Sequence, residues 1–149
     1  MSLYGTRTNF AAPAANDTGI HLKGSATVRP RLCEFCISSD ATPVEQTAEY
    51  QVVRTTSAGT TPVATLTVEK YDEFHPAAGT TAEGNGYTTE PSVGDIMYET
   101  SVHQKNTFRW VAYPGREICN VVAANNGLGL VVISQSAVFS LNLSAVWIE

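Results

Sequence analysis

A chain of 149 residues is enough for one domain that buries roughly 70% of the surface its unfolded form exposes, so no disulfide or metal staple is needed to hold a core. Only 15% of the residues are Asp, Glu, Lys or Arg, and Thr, present 18 times, takes much of their place. A net charge of −5, with nine Lys and Arg scattered singly, excludes the basic face that a nucleic-acid binder needs and disfavours anionic membranes.

Thr is β-branched and half polar, so it suits strands with one wet face and makes a poor helix interior. Residues 1–18 read as an extended arm, rich in small and turn-forming residues, whose adhesive side chains are Leu3, Tyr4 and Phe10. After Gly19 a two-residue period begins: Ile20 and Leu22 alternate with His21 and Lys23. From Arg31, the residues Cys33, Phe35 and Ile37 share one face and Leu32, Glu34 and Cys36 the other. Residues 50–56 form the next strand, and Ala64, Leu66 and Val68 share a face of a third.

Residues 69–94 are the longest break. Alternation resumes with Ile96, Tyr98, Thr100 and Val102, then Phe108, Trp110 and Ala112, stopped by Pro114-Gly115. A short strand over 118–122 ends at Asn125-Asn126-Gly127, a tight-turn signal. Leu128, Leu130 and Val132 open another strand, and Phe139, Leu141, Leu143, Ala145 and Trp147 give the clearest alternation of all. Eight to ten short strands with turns between them, and no helical period, predict an all-β antiparallel β-sandwich of jelly-roll-like topology over 19–149, preceded by the arm.

No window reaches the 18 apolar residues of a membrane-spanning helix. Met1–Gly5 has neither the cationic start nor the apolar run of a signal peptide, so the expected site of synthesis and assembly is the cytoplasm. Three Cys imply no disulfide framework.

Candidate chemistry is sparse. Cys33-Glu34-Phe35-Cys36 is a CxxC, but residues three apart on a regular strand point to opposite faces, and Cys119, His21, His75 and His103 add no paired metal-ligand spacing. Asp72, Glu73 and His75 could approach a metal, yet Pro76 and Gly79 read as a solvated loop. No G-x-S-x-G is present; Ser134-Gln135-Ser136 reads as a turn. Gly84-Asn85-Gly86 and Gly127-Leu128-Gly129 lack the strand-to-helix setting of a phosphate loop. Tyr71, Phe74, Tyr87 and Tyr113 could form a sugar platform, but read better as anchors of loops or of an interface between subunits. The expectation is therefore no enzyme, no cofactor and no metal.

Several segments together carry a resemblance: Leu3-Tyr4-Gly5-Thr6-Arg7, Arg31-Leu32-Cys33-Glu34-Phe35-Cys36-Ile37-Ser38, the stretch 50–60, the stretch 108–117, the stretch 124–130, and Val146-Trp147-Ile148-Glu149. The chain resembles small virion proteins of tailed bacteriophages, of the capsid decoration (cement) kind. That resemblance implies a β-sandwich on the outer surface of a phage head that locks neighbouring subunits of the major capsid protein together, as a homo-oligomer, with no nucleic acid or membrane as partner. It places the inter-subunit contact on the arm, at Leu3, Tyr4, Arg7 and Phe10. The alternative is a tail- or fibre-associated β-sandwich that binds a host receptor or carbohydrate.

Overall fold

The computed structural model describes residues 1–41, 43–60, 64–135 and 139–149. Twelve strands are present among them: β1 Leu3–Ala11, β2 Asp17–Lys23, β3 Arg31–Ala41, β4 Thr47–Thr55, β5 Ala64–Thr65, β6 Glu69–Lys70, β7 Thr81–Gly84, β8 Val93–His103, β9 Phe108–Val111, β10 Ile118–Cys119, β11 Gly127–Gln135 and β12 Ser140–Ile148. All pairings are antiparallel and divide into two six-stranded sheets. Sheet A runs β10-β3-β12-β1-β6, with β9 also paired to β3; sheet B runs β5-β7-β2-β11-β4-β8.

The ladders nest. β1 pairs with β12, β2 with β11, β3 with β9 and β10, and β4 with β8. A long hairpin wrapped on itself in this way is a jelly roll, as the alternation predicts. The segment 64–84 adds β6 to the outer edge of sheet A and β7-β5 to that of sheet B. Between the sheets lie Tyr4, Phe10, Ile20, Leu22, Phe35, Ile37, Val52, Leu128, Leu130, Leu141, Leu143 and Trp147, all buried. A void among the inner Leu, Ile and Phe side chains measures only about 10 Å³, so the described residues pack closely there.

Residues 3–11 correct the expectation of an arm. They form β1, whose whole length pairs with β12, from Leu3↔Ile148 through Tyr4↔Trp147 to Phe10↔Leu141 and Ala11↔Ser140. Tyr4, Thr6 and Phe10 face inward and are buried; Tyr4 stacks on Trp147 at 6.0 Å between ring centroids. Thr6 and Thr8 hide the period, because Thr on an inner face reads as polar while Thr6 Oγ1 is satisfied by donating to Thr67 O at 2.8 Å. The expected boundary at residue 18 falls inside β2. Tyr4 and Phe10 therefore belong to this chain's own core; Leu3 is half-buried at the sheet end and Arg7 is exposed.

β3 departs from simple alternation. Leu32 and Phe35 are both buried, because the β3–β12 register shifts between Val146 and Trp147: Glu34 faces Val146 and Leu32 faces Trp147, leaving Cys33 as the extra residue of a bulge. The expected sharing of one face by Cys33 and Phe35 gives way to this bulge, and the parity argument for the CxxC with it. All three thiols are free.

Candidate functional site

Three surfaces of the sandwich carry unusual side chains: a turn at one edge of sheet A, the outer face of that sheet, and the covered part of the outer face of sheet B.

The turn follows β6. Tyr71 N donates to Leu3 O at 3.1 Å, which fixes the turn to β1. Asp72 Oδ1 accepts from Phe74 N at 3.0 Å and Asp72 O accepts from His75 N at 3.0 Å. Lys70 Nζ donates to the carbonyls of Glu73 and His75 at 3.0 and 3.1 Å. The far end is held from beneath, where Tyr4 Oη donates to Pro76 O at 2.9 Å. Asp72 and His75, weighed as metal ligands, are thus parts of the turn itself, with Asp72 Oδ2 3.7 Å from His75 Nε2. At its tip Phe74 is 99% exposed, and Tyr71 is 62% exposed. The Tyr71 ring lies over Gly5, where a Cβ would approach Cε2 to 2.9 Å.

The outer face of sheet A is polar. An open groove of about 950 Å³ between β1 and the 65–71 segment is lined by Arg7, Asn9, Glu34, Lys70, Tyr71 and Ser144. Arg109 binds Glu34 through two bonds of 2.7 Å, which lower the Glu34 carboxyl below the usual range and raise the guanidinium. Cys36 opens onto the adjoining depression beside Arg7 and Ser144. At the opposite edge, Arg31 pairs with Glu117 at 2.7 Å, and Tyr113 stands 83% exposed in the turn between β9 and β10.

Around His21 the outer face of sheet B is covered. The loop 85–92 is tied down by Asn85 N to Thr18 O at 3.2 Å, Thr18 N to Glu90 Oε2 at 2.9 Å, and Thr56 N to Ser92 O at 2.9 Å. Tyr87 meets His21 edge-on at 6.4 Å between centroids. His21, which alternates with Ile20 and Leu22 along β2, is 0% exposed. Its Nε2 lies 2.8 Å from Thr55 Oγ1 and its Nδ1 has no partner. A buried N–H without an acceptor costs more than a buried lone pair, so we assign the proton to Nε2. Burial, and secondly the Lys23 ammonium, pull the imidazole down from 6.5 to about 4. Burial also raises the Glu90 carboxyl and the Tyr87 phenol.

The remaining residues singled out in the sequence are scattered. Tyr87 anchors a loop, whereas Tyr71, Phe74 and Tyr113 stand at two separate edges and do not converge on one platform. Ser134 and Gln135 continue β11 instead of turning, Ser134 Oγ lying 3.2 Å from Glu49 Oε2, and Ser136 lies outside the described residues. His103 Nε2 is 3.3 Å from Glu45 Oε2, and Cys119 ends β10 opposite Arg31, two residues along β3 from Cys33. Among the described residues no three His, Cys, Asp or Glu are grouped as metal ligands. Gly127 is the first residue of β11, and the left-handed residue of the preceding turn is Asn125, with φ of 68°.

Comparison with family models, curated proteins and solved structures finds no match to this chain.

Proposed function

We propose that this chain is a non-enzymatic structural protein of a phage virion that decorates the outer capsid surface and stabilises it by bridging subunits of the major capsid protein. The observation that carries the reading is the placement of its two most exposed aromatic rings among the described residues. Phe74 follows β6 and Tyr113 follows β9, and these strands are the opposite edges of sheet A. Four ladder steps of about 4.8 Å put the two edges about 19 Å apart. A filled, twelve-stranded block with an apolar contact at each side can touch two neighbours at once.

Such a protein stabilises by mass action, because it binds the assembled state and not the separated subunits. Each contact need be only of standard size, roughly 800 Å² per partner, since many copies act together. With few charges in the chain, the contacts are mostly apolar and hydrogen-bonded, so high salt weakens only the few charged pairs at their rims. The test compares heads with and without the protein under heat or osmotic shock. Higher survival of decorated heads is expected, and equal survival refutes the reading.

The polar groove beside Tyr71 favours the second reading, a tail- or fibre-associated module that binds a host carbohydrate. Adsorption of particles to cells, with and without the chain, decides for it.

A further inference from the structure

Among the large apolar side chains of the described residues, Phe74 is the one most completely in water. Burying a Phe side chain is strongly favourable, so an unconstrained loop would fold such a ring back onto its own surface. The turn prevents that. Its start is bonded to β1 through Tyr71 N, its end to the buried Tyr4 through Pro76 O, and its interior by Asp72 and Lys70. Tyr4 is itself 1% exposed and stacked on Trp147, so the tip is braced directly from the core.

We propose that Phe74 is a pre-organised anchor that inserts into an apolar pocket on a partner protein, and that the pocket is bordered by Lys or Arg. The proposal rests on the capsid-bridging reading and names the contact that makes one of its bridges. A ring projecting from a convex turn has no walls of its own, so it cannot enclose a small ligand; the partner must supply them. Asp72 and Glu73, which precede the ring in the turn, are exposed, while the Lys70 ammonium is bonded to two carbonyls of the turn. This acidic fringe selects a basic rim and repels phosphate-bearing nucleic acid or anionic lipid. Because the turn is already ordered, association loses little conformational freedom, which is the condition under which a single aromatic residue dominates an interface.

The experiment measures binding of purified chain to heads assembled without it, by co-sedimentation over a concentration series. Phe74→Ala should leave the melting temperature unchanged, since the side chain touches nothing, and should raise Kd about 30-fold, equivalent to about 2 kcal/mol. Asp72→Ala keeps the ring but removes the bond to Phe74 N, and should weaken binding by a smaller factor of about 3–10, through lost pre-organisation. Incorporated fluorophenylalanine at position 74 should shift its fluorine resonance on binding. Wild-type binding matched within twofold by Phe74→Ala overturns the anchor and leaves the bridging function standing. A wild-type chain that does not bind heads overturns the function and the partner named here together. Competition by soluble glycans for the Phe74 contact would overturn the protein pocket in favour of a sugar ligand.

Discussion

Acid should loosen this fold through one side chain before it reaches the carboxylates. His21 is buried on the outer face of sheet B, faced by Lys23 of its own strand, Thr55 of β4, Glu83 of β7, and Tyr87 and Glu90 of the covering loop. Its imidazole is held from 6.5 down to about 4, chiefly by burial. Between those values the unfolded chain binds a proton that the native chain refuses, so stability is fully present above pH 6.5 and is lost as the pH falls toward 4. At 1.36 kcal/mol per unit the full loss is about 3 kcal/mol, of which about 2 kcal/mol is gone by pH 5.

Glu90 opposes this, because its raised carboxyl holds a proton more readily in the native state and so adds stability as the pH falls. Glu34, Glu45 and Glu117 are lowered from 4.5 and lose their contributions only below that value. The assay is urea unfolding, followed by tryptophan fluorescence, at intervals from pH 7.5 to 5, for wild type and His21→Gln. The difference between the two slopes isolates the imidazole, whatever the variant does to absolute stability. Equal slopes would refute the assignment of a neutral, buried His21.

Three further outcomes are expected. Gly127→Ala should cost about 2–3 kcal/mol and lower the melting temperature, because its Cβ would meet Leu22 O at 2.3 Å and His21 Nε2 at 2.5 Å; Gly115→Ala, with φ of 80° and nothing within 4 Å, should cost only about 1–2 kcal/mol of backbone strain. Deleting residues 2–11 should abolish cooperative unfolding, since it strips β1 from β12 and removes Tyr4 and Phe10 from the core; a truncated chain that melts like wild type would show that β1 is dispensable. Mass spectrometry after alkylation in denaturant should find three modified cysteines, with Cys33 slow to react in the native protein because burial raises its thiol; a Cys33–Cys36 disulfide would contradict the three free thiols described.

What the sequence made legible was the local period. Leu141, Leu143, Ala145 and Trp147 alternate without a polar intrusion, and β12 forms as that pattern dictates. β1 has the same period, but Thr6 and Thr8 occupy inner positions that a polarity count assigns to water. Thr6 is tolerated inside because a carbonyl from a segment 61 residues away accepts its hydroxyl hydrogen. The burial of His21 was illegible for a different reason. A two-residue period says which side chains lie opposite Ile20 and Leu22, but not that the loop 85–92 will cover them. The bulge at Cys33 was equally invisible, since it exists only against the register of β12. Phe74 was seen as a loop aromatic, but its complete exposure depends on Tyr4 reaching Pro76, a contact between residues 72 apart in sequence.

The position of β12 sets an order of events during synthesis. This strand lies in the middle of sheet A, between β1 and β3, and Ser2 and Glu149 exchange both of their backbone hydrogen bonds. About 100 residues separate the end of β3 from the start of β12, about 5–20 s of translation. Throughout that interval β1 and β3 are finished but cannot pair with each other, because the strand that joins them has not emerged. Their inner faces, with Tyr4, Phe10, Phe35 and Ile37, wait beside a gap one strand wide. A β12 from another chain has the same shape as the one awaited and could fill it. Strand exchange between neighbouring nascent chains is therefore the hazard built into this topology, and it grows with the rate of expression.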